Sequence, residues 1–260
     1  MLRLIDQRTL NLTLSEMSGL RKSKKGKDIE DIFLDNVSHE IRTPLNVIIG
    51  LNDLLNGVAG QHMEEDEKLI LKEHIHKNAD RLLTVMDDIL DLSRMEKGTL
   101  PLHKTVVSLM EICFKARESV KHLVRSNVKL LHEYPITLKD TLIYTDARRL
   151  EQVLHNFLEN ACRHTYNGTI TLRVKECQNN ETKQPMLQIR VDDTGVGVPR
   201  EQRDLLFLPF RKVDGKSEGL GMGLAICKKI AIMLGGRTYY DEYTKECGSS
   251  FVLEMPFDKV

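Results

Sequence analysis

Two stretches of apolar residues at helical spacing, each longer than an ordinary globular helix, dominate the first hundred positions of this chain. From about residue 28 to 57 the apolar side chains recur at Ile29, Ile32, Phe33, Val37, Ile41, Leu45, Ile48 and Leu55, in steps of three and four. Gly57, Val58, Ala59 and Gly60 interrupt that pattern. A second stripe then runs from about 64 to 97 through Leu71, Ile75, Ala79, Leu82, Met86, Ile89 and Ser93. Helices of this length joined by so short a connection form an antiparallel hairpin. A lone hairpin leaves its apolar stripes half exposed. Dimerising into a four-helix bundle buries them; packing against the rest of the same chain is the other solution.

Gly98 and Pro101 end the second helix, and from about residue 105 the grammar changes. Candidate strands at Val128–His132, Thr169–Cys177 and Met186–Asp192 alternate with candidate helices at Ser108–Ser126, Asp146–His164 and Met222–Leu234. Sheet and helices in one unit suggest an α+β sandwich. The composition is that of a folding chain, with 41% hydrophobic and 29% charged residues. Basic and acidic residues balance at 38 each, so no net field favours nucleic acid, and any phosphate must be bound locally. The run RKSKKGK at Arg21–Lys27 reads as a solvated helix face, a linker or a membrane-surface contact.

Five scattered cysteines, Cys113, Cys162, Cys177, Cys227 and Cys247, form no CxxC pair, which argues against a disulfide framework or a zinc site and for a reducing, cytoplasmic compartment. No stretch approaches 18 consecutive apolar residues, and the N-terminus lacks a signal peptide's apolar core. A membrane-spanning sensor, where the protein has one, is therefore expected outside these residues.

The segment FLDNVSHEIRTPLN, Phe33–Asn46, places His39, Glu40, Thr43 and Pro44 close together on an amphipathic helix. With Val37 and Ile41 on the buried stripe, His39 and Glu40 are expected to project outward. A neutral imidazole can attack phosphorus if its second nitrogen gives up a proton, and Glu40 is the obvious acceptor. Adjacent helical residues do not face each other, so that pairing requires a particular rotamer. Thr43, one turn beyond His39, can orient a water against a phosphorylated partner. Pro44 removes an amide and crowds the Glu40 carbonyl, predicting a kink or loosening of the helix. By itself, an exposed helical histidine is usually a surface residue.

In RRLEQVLHNFLENACRHT, Arg148–Thr165, a core face leaves Asn156 and Asn160 at i and i+4 on another. A carboxamide oxygen is a hard ligand suited to Mg²⁺, and Arg163 and His164 are placed to meet phosphates. Alone, this pair also reads as a polar helix face. Next, VDDTGVGVP, Val191–Pro199, ends an apolar strand in carboxylates and glycines; Asp193 offers an acceptor for an exocyclic amine such as that of adenine, with Gly195 and Gly197 allowing close approach. Strand-to-turn punctuation explains the same letters. Gly219, Leu220, Gly221, Met222 and Gly223 lead into an amphipathic helix whose free amides favour polyphosphate, at a spacing that is neither Rossmann nor P-loop. Between the two glycine motifs, Phe207, Pro209 and Phe210 suggest a hinged lid or an anchored surface loop.

In this order and spacing the motifs resemble the sensor histidine kinase family. FLDNVSHEIRTPLN is similar to its H box, NFLENACRHT to its N box, DDTGVGVP and GLGMGLAI to its two glycine boxes, and FLPF to its F box, covering residues from about 30 to 257. The resemblance implies residues 1–27 as a signalling helix or linker, 28–100 as a dimerisation and histidine phosphotransfer domain forming a dimeric four-helix bundle, and 105–257 as an α/β sandwich ATP-binding domain of the Bergerat type. It implies His39 as phosphoacceptor, Glu40 as the acid associated with proton transfer and Thr43 as the residue associated with phosphatase action. It further implies Asn160 as the Mg²⁺ ligand, Asn156 as the companion amide, Asp193 as the adenine contact, and the glycines as hinges and phosphate cradle.

Two departures stand out: Arg163 replaces the usual Lys, and Glu218 precedes Gly219 where small residues are common. The expected cofactors are ATP and Mg²⁺, and the expected partners are a second copy of the chain and a response regulator's receiver domain. Rival readings are a Bergerat-type ATPase without histidine phosphorylation and a degenerate adaptor that binds a receiver but no nucleotide.

Overall fold

Periodicity in the first hundred residues becomes two long helices in the computed structural model, which describes residues 24–179, 181–211, 221–241 and 248–257. Helix α1 (Lys24–Asn56) and helix α3 (Glu65–Glu96) pack along each other, joined by the short α2 (Val58–Gln61). Gly57 ends α1, its amide donating to the Asp53 carbonyl at 2.8 Å. Before α3, the Glu64 amide donates to the Glu67 carboxylate at 3.1 Å, and Glu65, Asp66 and Glu67 place negative charge at the positive helix end. Helix α1 continues through Pro44 without interruption, so the expected loosening does not end the helix.

The described residues divide into two compact units, the first of residues 24–99 and the second of the remainder. In the second unit a ribbon pairs β1 (Thr105–Ser108) with β3 (Leu142–Thr145) antiparallel. A five-stranded sheet orders β2 (Val128–Glu133), β4 (Gly168–Gln178), β5 (Pro185–Asp193), β7 (Ser249–Pro256) and β6 (Arg237–Asp241) side by side. Only β2 and β4 run parallel; the remaining neighbours are antiparallel. Helices α4 (Leu109–Val120), α5 (Ala147–His164) and α6 (Gly223–Met233) complete the second layer.

Helix α5 forms where expected because Asp146 caps it and its apolar residues share one face. One Asp146 oxygen accepts the Arg149 amide at 3.1 Å and the other accepts the His103 amide at 2.8 Å, tying the incoming chain to the helix start. Leu150, Val153, Leu154, Phe157 and Leu158 are wholly buried, facing Ile170 and Leu172 of β4 and Leu187, Ile189 and Val191 of β5. The rings of Phe157 and Phe251 lie 5.6 Å apart, and Phe207 and Tyr240 close on Phe251 edge-on at 6.4 and 5.7 Å. This aromatic cluster fastens the segment after the first glycine motif to the sheet.

The opposite face of the sheet is polar. Asp192 pairs with Arg173 and accepts from Ser250, while Arg190 donates to Ser250 at 2.8 Å and pairs with Asp241 at 3.1 Å. Successive side chains of β5 alternate between the two faces, so Asp193 points the other way, toward the helices.

Candidate active site

On α1, His39 and Thr43 are exposed and Val37 and Pro44 are buried. The Thr43 hydroxyl donates to the His39 carbonyl at 3.0 Å, which leaves its oxygen lone pairs outward as acceptors. Glu40 departs from expectation: it is 7% exposed and pairs with Arg81 of α3, Oε2 to Nη2 at 3.2 Å. The reason is helical spacing. Glu40 stands three residues after Val37 and four before Pro44, so it shares their seam, while His39, turned about 100° away, does not. Arg81 was not legible as a functional residue, since nothing in α3 alone marks one half-buried arginine as the partner of a residue on α1.

In the second unit, Asp193 ends β5, 2% exposed. Burial pushes its carboxyl up from the ordinary carboxylate range to about 6, the Gly195 and Ser249 amides and the Thr165 hydroxyl pull it back down, and neighbouring Asp192 adds to the rise. The Gly195 amide donates to Asp193 Oδ1 at 2.8 Å. A Cβ on Gly195 would stand 2.4 Å from the His164 carbonyl oxygen, so the glycine loop can cross the end of α5 only without a side chain. The Val196 amide donates to that same His164 carbonyl at 3.3 Å. Thr165 and Ser249 join the Asp193 environment through the helix end and the β5–β7 pairing, contacts that motif reading does not supply.

Asn156 and Asn160 are both half-buried on α5. The Asn156 amide reaches the Gly223 carbonyl at 3.5 Å, and a Cβ on Gly223 would approach Asn156 Oδ1 to 3.2 Å, so the start of α6 lies against the asparagine face of α5. Gly221 adopts φ +67°, and its carbonyl accepts the Phe210 amide at 3.1 Å. Phe210 itself has φ +64°, a strained backbone for an aromatic residue of the kind that collects at ligand clamps. Gly197 and buried Met222 belong to the same two loops, whereas Gly219 and Leu220 lie outside the described residues. Arg163 is engaged by Glu159 one turn back at 2.9 Å. The site thus offers a buried acceptor, the amides at the start of α6 and a paired-amide face, groups able to meet an exocyclic amine and anionic oxygens.

Comparison with known proteins matches residues 145–259 to the family described as Histidine kinase-, DNA gyrase B-, and HSP90-like ATPase. Residues 30–98 match the His Kinase A (phospho-acceptor) domain. The Circadian input-output histidine kinase CikA of Thermosynechococcus vestitus is 32% identical over 259 residues, 97% of this chain and 34% of that protein. The Autoinducer 2 sensor kinase/phosphatase LuxQ of Vibrio vulnificus is 30% identical over 247 residues, 92% of this chain and 28% of that protein. The chain therefore spans about a third of the length of these relatives. Among solved structures, the Acinetobacter baumannii histidine kinase AdeS shares the fold with a TM-score of 0.62 at 23% identity, covering 84% of this chain and 98% of that one.

Proposed function

Because this chain belongs to the histidine kinase family, with a phospho-acceptor module followed by an ATPase module, we propose that it moves the γ-phosphoryl group of ATP onto a ring nitrogen of His39. The phosphoryl group then passes to an aspartate on the receiver domain of a response regulator. The observation that carries this reading is the exposure of His39 on α1, inside the matched phospho-acceptor module of a chain that also holds a nucleotide-type site. Residues 28–100 serve as the dimerisation and phosphotransfer domain and 105–257 as the ATP-binding domain.

Asp193 takes the adenine amine, and the amides from Gly221 to Gly223 receive the phosphates at the positive end of α6. The donor set suits Mg²⁺ brought in with ATP. Asn160 offers a single hard amide oxygen. Asn160 would hold Mg²⁺ there together with the phosphates, and the ion would supply neutralisation of phosphate charge. The chain's own part is to orient the nucleotide, exclude water with the Phe207–Phe210 segment and accept a proton from His39 at Glu40.

Thr43, with its lone pairs outward beside His39, is the residue for removing phosphate from the partner regulator. LuxQ is named a kinase/phosphatase, which supports this extension. Half-exposed apolar residues along the hairpin support a homodimer: Leu45, Ile49, Leu69, Leu83 and Leu90 are between 36 and 59% exposed in one chain. No helix among the described residues is long and apolar enough to cross a membrane. We place the catalytic region in the cytoplasm, where Cys113, Cys162 and Cys177 remain free thiols.

Incubation with γ-labelled ATP tests the assignment. Label that is acid-labile, base-stable and absent from His39→Gln supports it; undiminished label on His39→Gln rejects it.

A further inference from the structure

Glu40 is the one acidic residue buried on α1 among the residues whose side chains are described, and it is bound from the opposite helix. A carboxylate taken out of water is costly unless a charge and hydrogen bonds meet it. Arg81 supplies both, reaching 41 positions along the chain to do so, with its own side chain 31% exposed. The pair is a cross-helix clasp one residue from the phosphoacceptor. An activated nucleophile needs a base within reach, and the base in turn needs a third group to hold its orientation. His39 and Glu40 are neighbours on a helix and do not face each other unaided, so the orienting group matters more here than in a site where nucleophile and base already meet.

We propose that Arg81 is a positioning residue for phosphorylation of His39, holding the Glu40 carboxylate in a fixed orientation from which it accepts the imidazole proton. This rests on the reading of His39 as phosphoacceptor. As one ring nitrogen bonds to the γ-phosphorus, the P–O bond to the leaving ADP breaks and its electron pair departs with ADP. The other ring nitrogen gives its proton to Glu40, whose charge had been matched by Arg81. A carboxylate can accept from both partners at once, since its two oxygens offer several acceptor sites.

The full chain is assayed for initial rate of labelling from γ-labelled ATP across ATP concentrations. Arg81→Gln is expected to lower the saturated rate about tenfold or more while leaving half-saturation by ATP unchanged. Arg81→Lys, which keeps the charge, regains most of the rate. In a Glu40→Gln background, Arg81→Gln causes no further loss. A wild-type rate for Arg81→Gln overturns the proposal, as does an equal further loss in the Glu40→Gln background, which would mean Arg81 acts without Glu40.

Should Arg81→Gln fail to fold, the exchanged pair Glu40→Arg with Arg81→Glu keeps a cross-helix ion pair while moving the carboxylate off α1. It is expected to label no faster than Glu40→Gln, and a wild-type rate overturns the proposal. Label on His39 that is indifferent to Arg81 rejects the clasp alone. No label on wild type, or label surviving His39→Gln, rejects the underlying assignment and the clasp with it.

Discussion

Asp193 titrates near 6 because it is buried, and the unfolded chain returns it to the ordinary carboxylate value of about 4. The folded protein therefore holds that proton more tightly than the unfolded one. The stability this lends is complete below the unfolded value and is lost as pH rises through about 6. Near neutrality the ionised side chain costs the fold roughly 3 kcal/mol. Asp193→Asn should accordingly raise the melting temperature at pH 8 and change it little near pH 4, while weakening ATP binding at least tenfold. Thermal unfolding at both pH values and calorimetric ATP titration check the two halves. Wild-type affinity for ATP should fall as pH drops through about 6, more steeply than in Asp193→Asn, where only the nucleotide titrates. At Gly195 the constraint is space: a methyl group would meet the backbone of His164 at 2.4 Å, and backbone cannot turn aside as a side chain can. Gly195→Ala should cost about 1–3 kcal/mol in chemical denaturation and weaken nucleotide binding.

Along the hairpin the exposed Leu69, Leu83 and Leu90 of α3 include a seven-residue step, the repeat of a helix seam that meets another helix. Leu83→Glu should shift the protein from dimer toward monomer in sedimentation equilibrium, with little change in the helicity of each chain. The hairpin is legible in the sequence because its signal is local: apolar steps of three and four, a glycine break, and Gly98 at the end. Helices α5 and α6 were legible for the same reason, to within a residue at each end. Strands β6 and β7 and the β1–β3 ribbon were not read. Strand β7 is buried along nearly its whole length, so it shows no alternation to mark it as strand, and β6 is short and recognisable chiefly by its pairing with β7. The glycine motifs and Asp193 stood out because glycine and carboxylate at a strand end are conspicuous letters. Glu40 misled for the opposite reason: in sequence a charged residue beside an exposed histidine looks solvated, and only the arginine of another helix makes its burial tolerable.

As a whole the molecule is two compact units, and the proposed nucleotide site draws its residues from the second. In scanning calorimetry, Mg²⁺·ATP should move only the transition of residues 100–260, by about 2.7 kcal/mol at a hundredfold excess over Kd, and leave the hairpin's transition in place. A single transition that shifts as one would show the units to be energetically inseparable. Within the second unit, consecutive aspartates of β5 serve opposite faces of one sheet, Asp193 toward the helices and Asp192 within a cluster of Arg173, Arg190 and Ser250. A slip of β5 by one position would exchange those assignments and drive the Arg190 guanidinium in among Phe157 and its neighbours, an error no rearrangement of side chains can absorb. The charged cluster on the far face therefore works as proofreading during folding: it rejects misregistered chains, so that the molecules that do fold carry Asp193 on the helix side of the sheet.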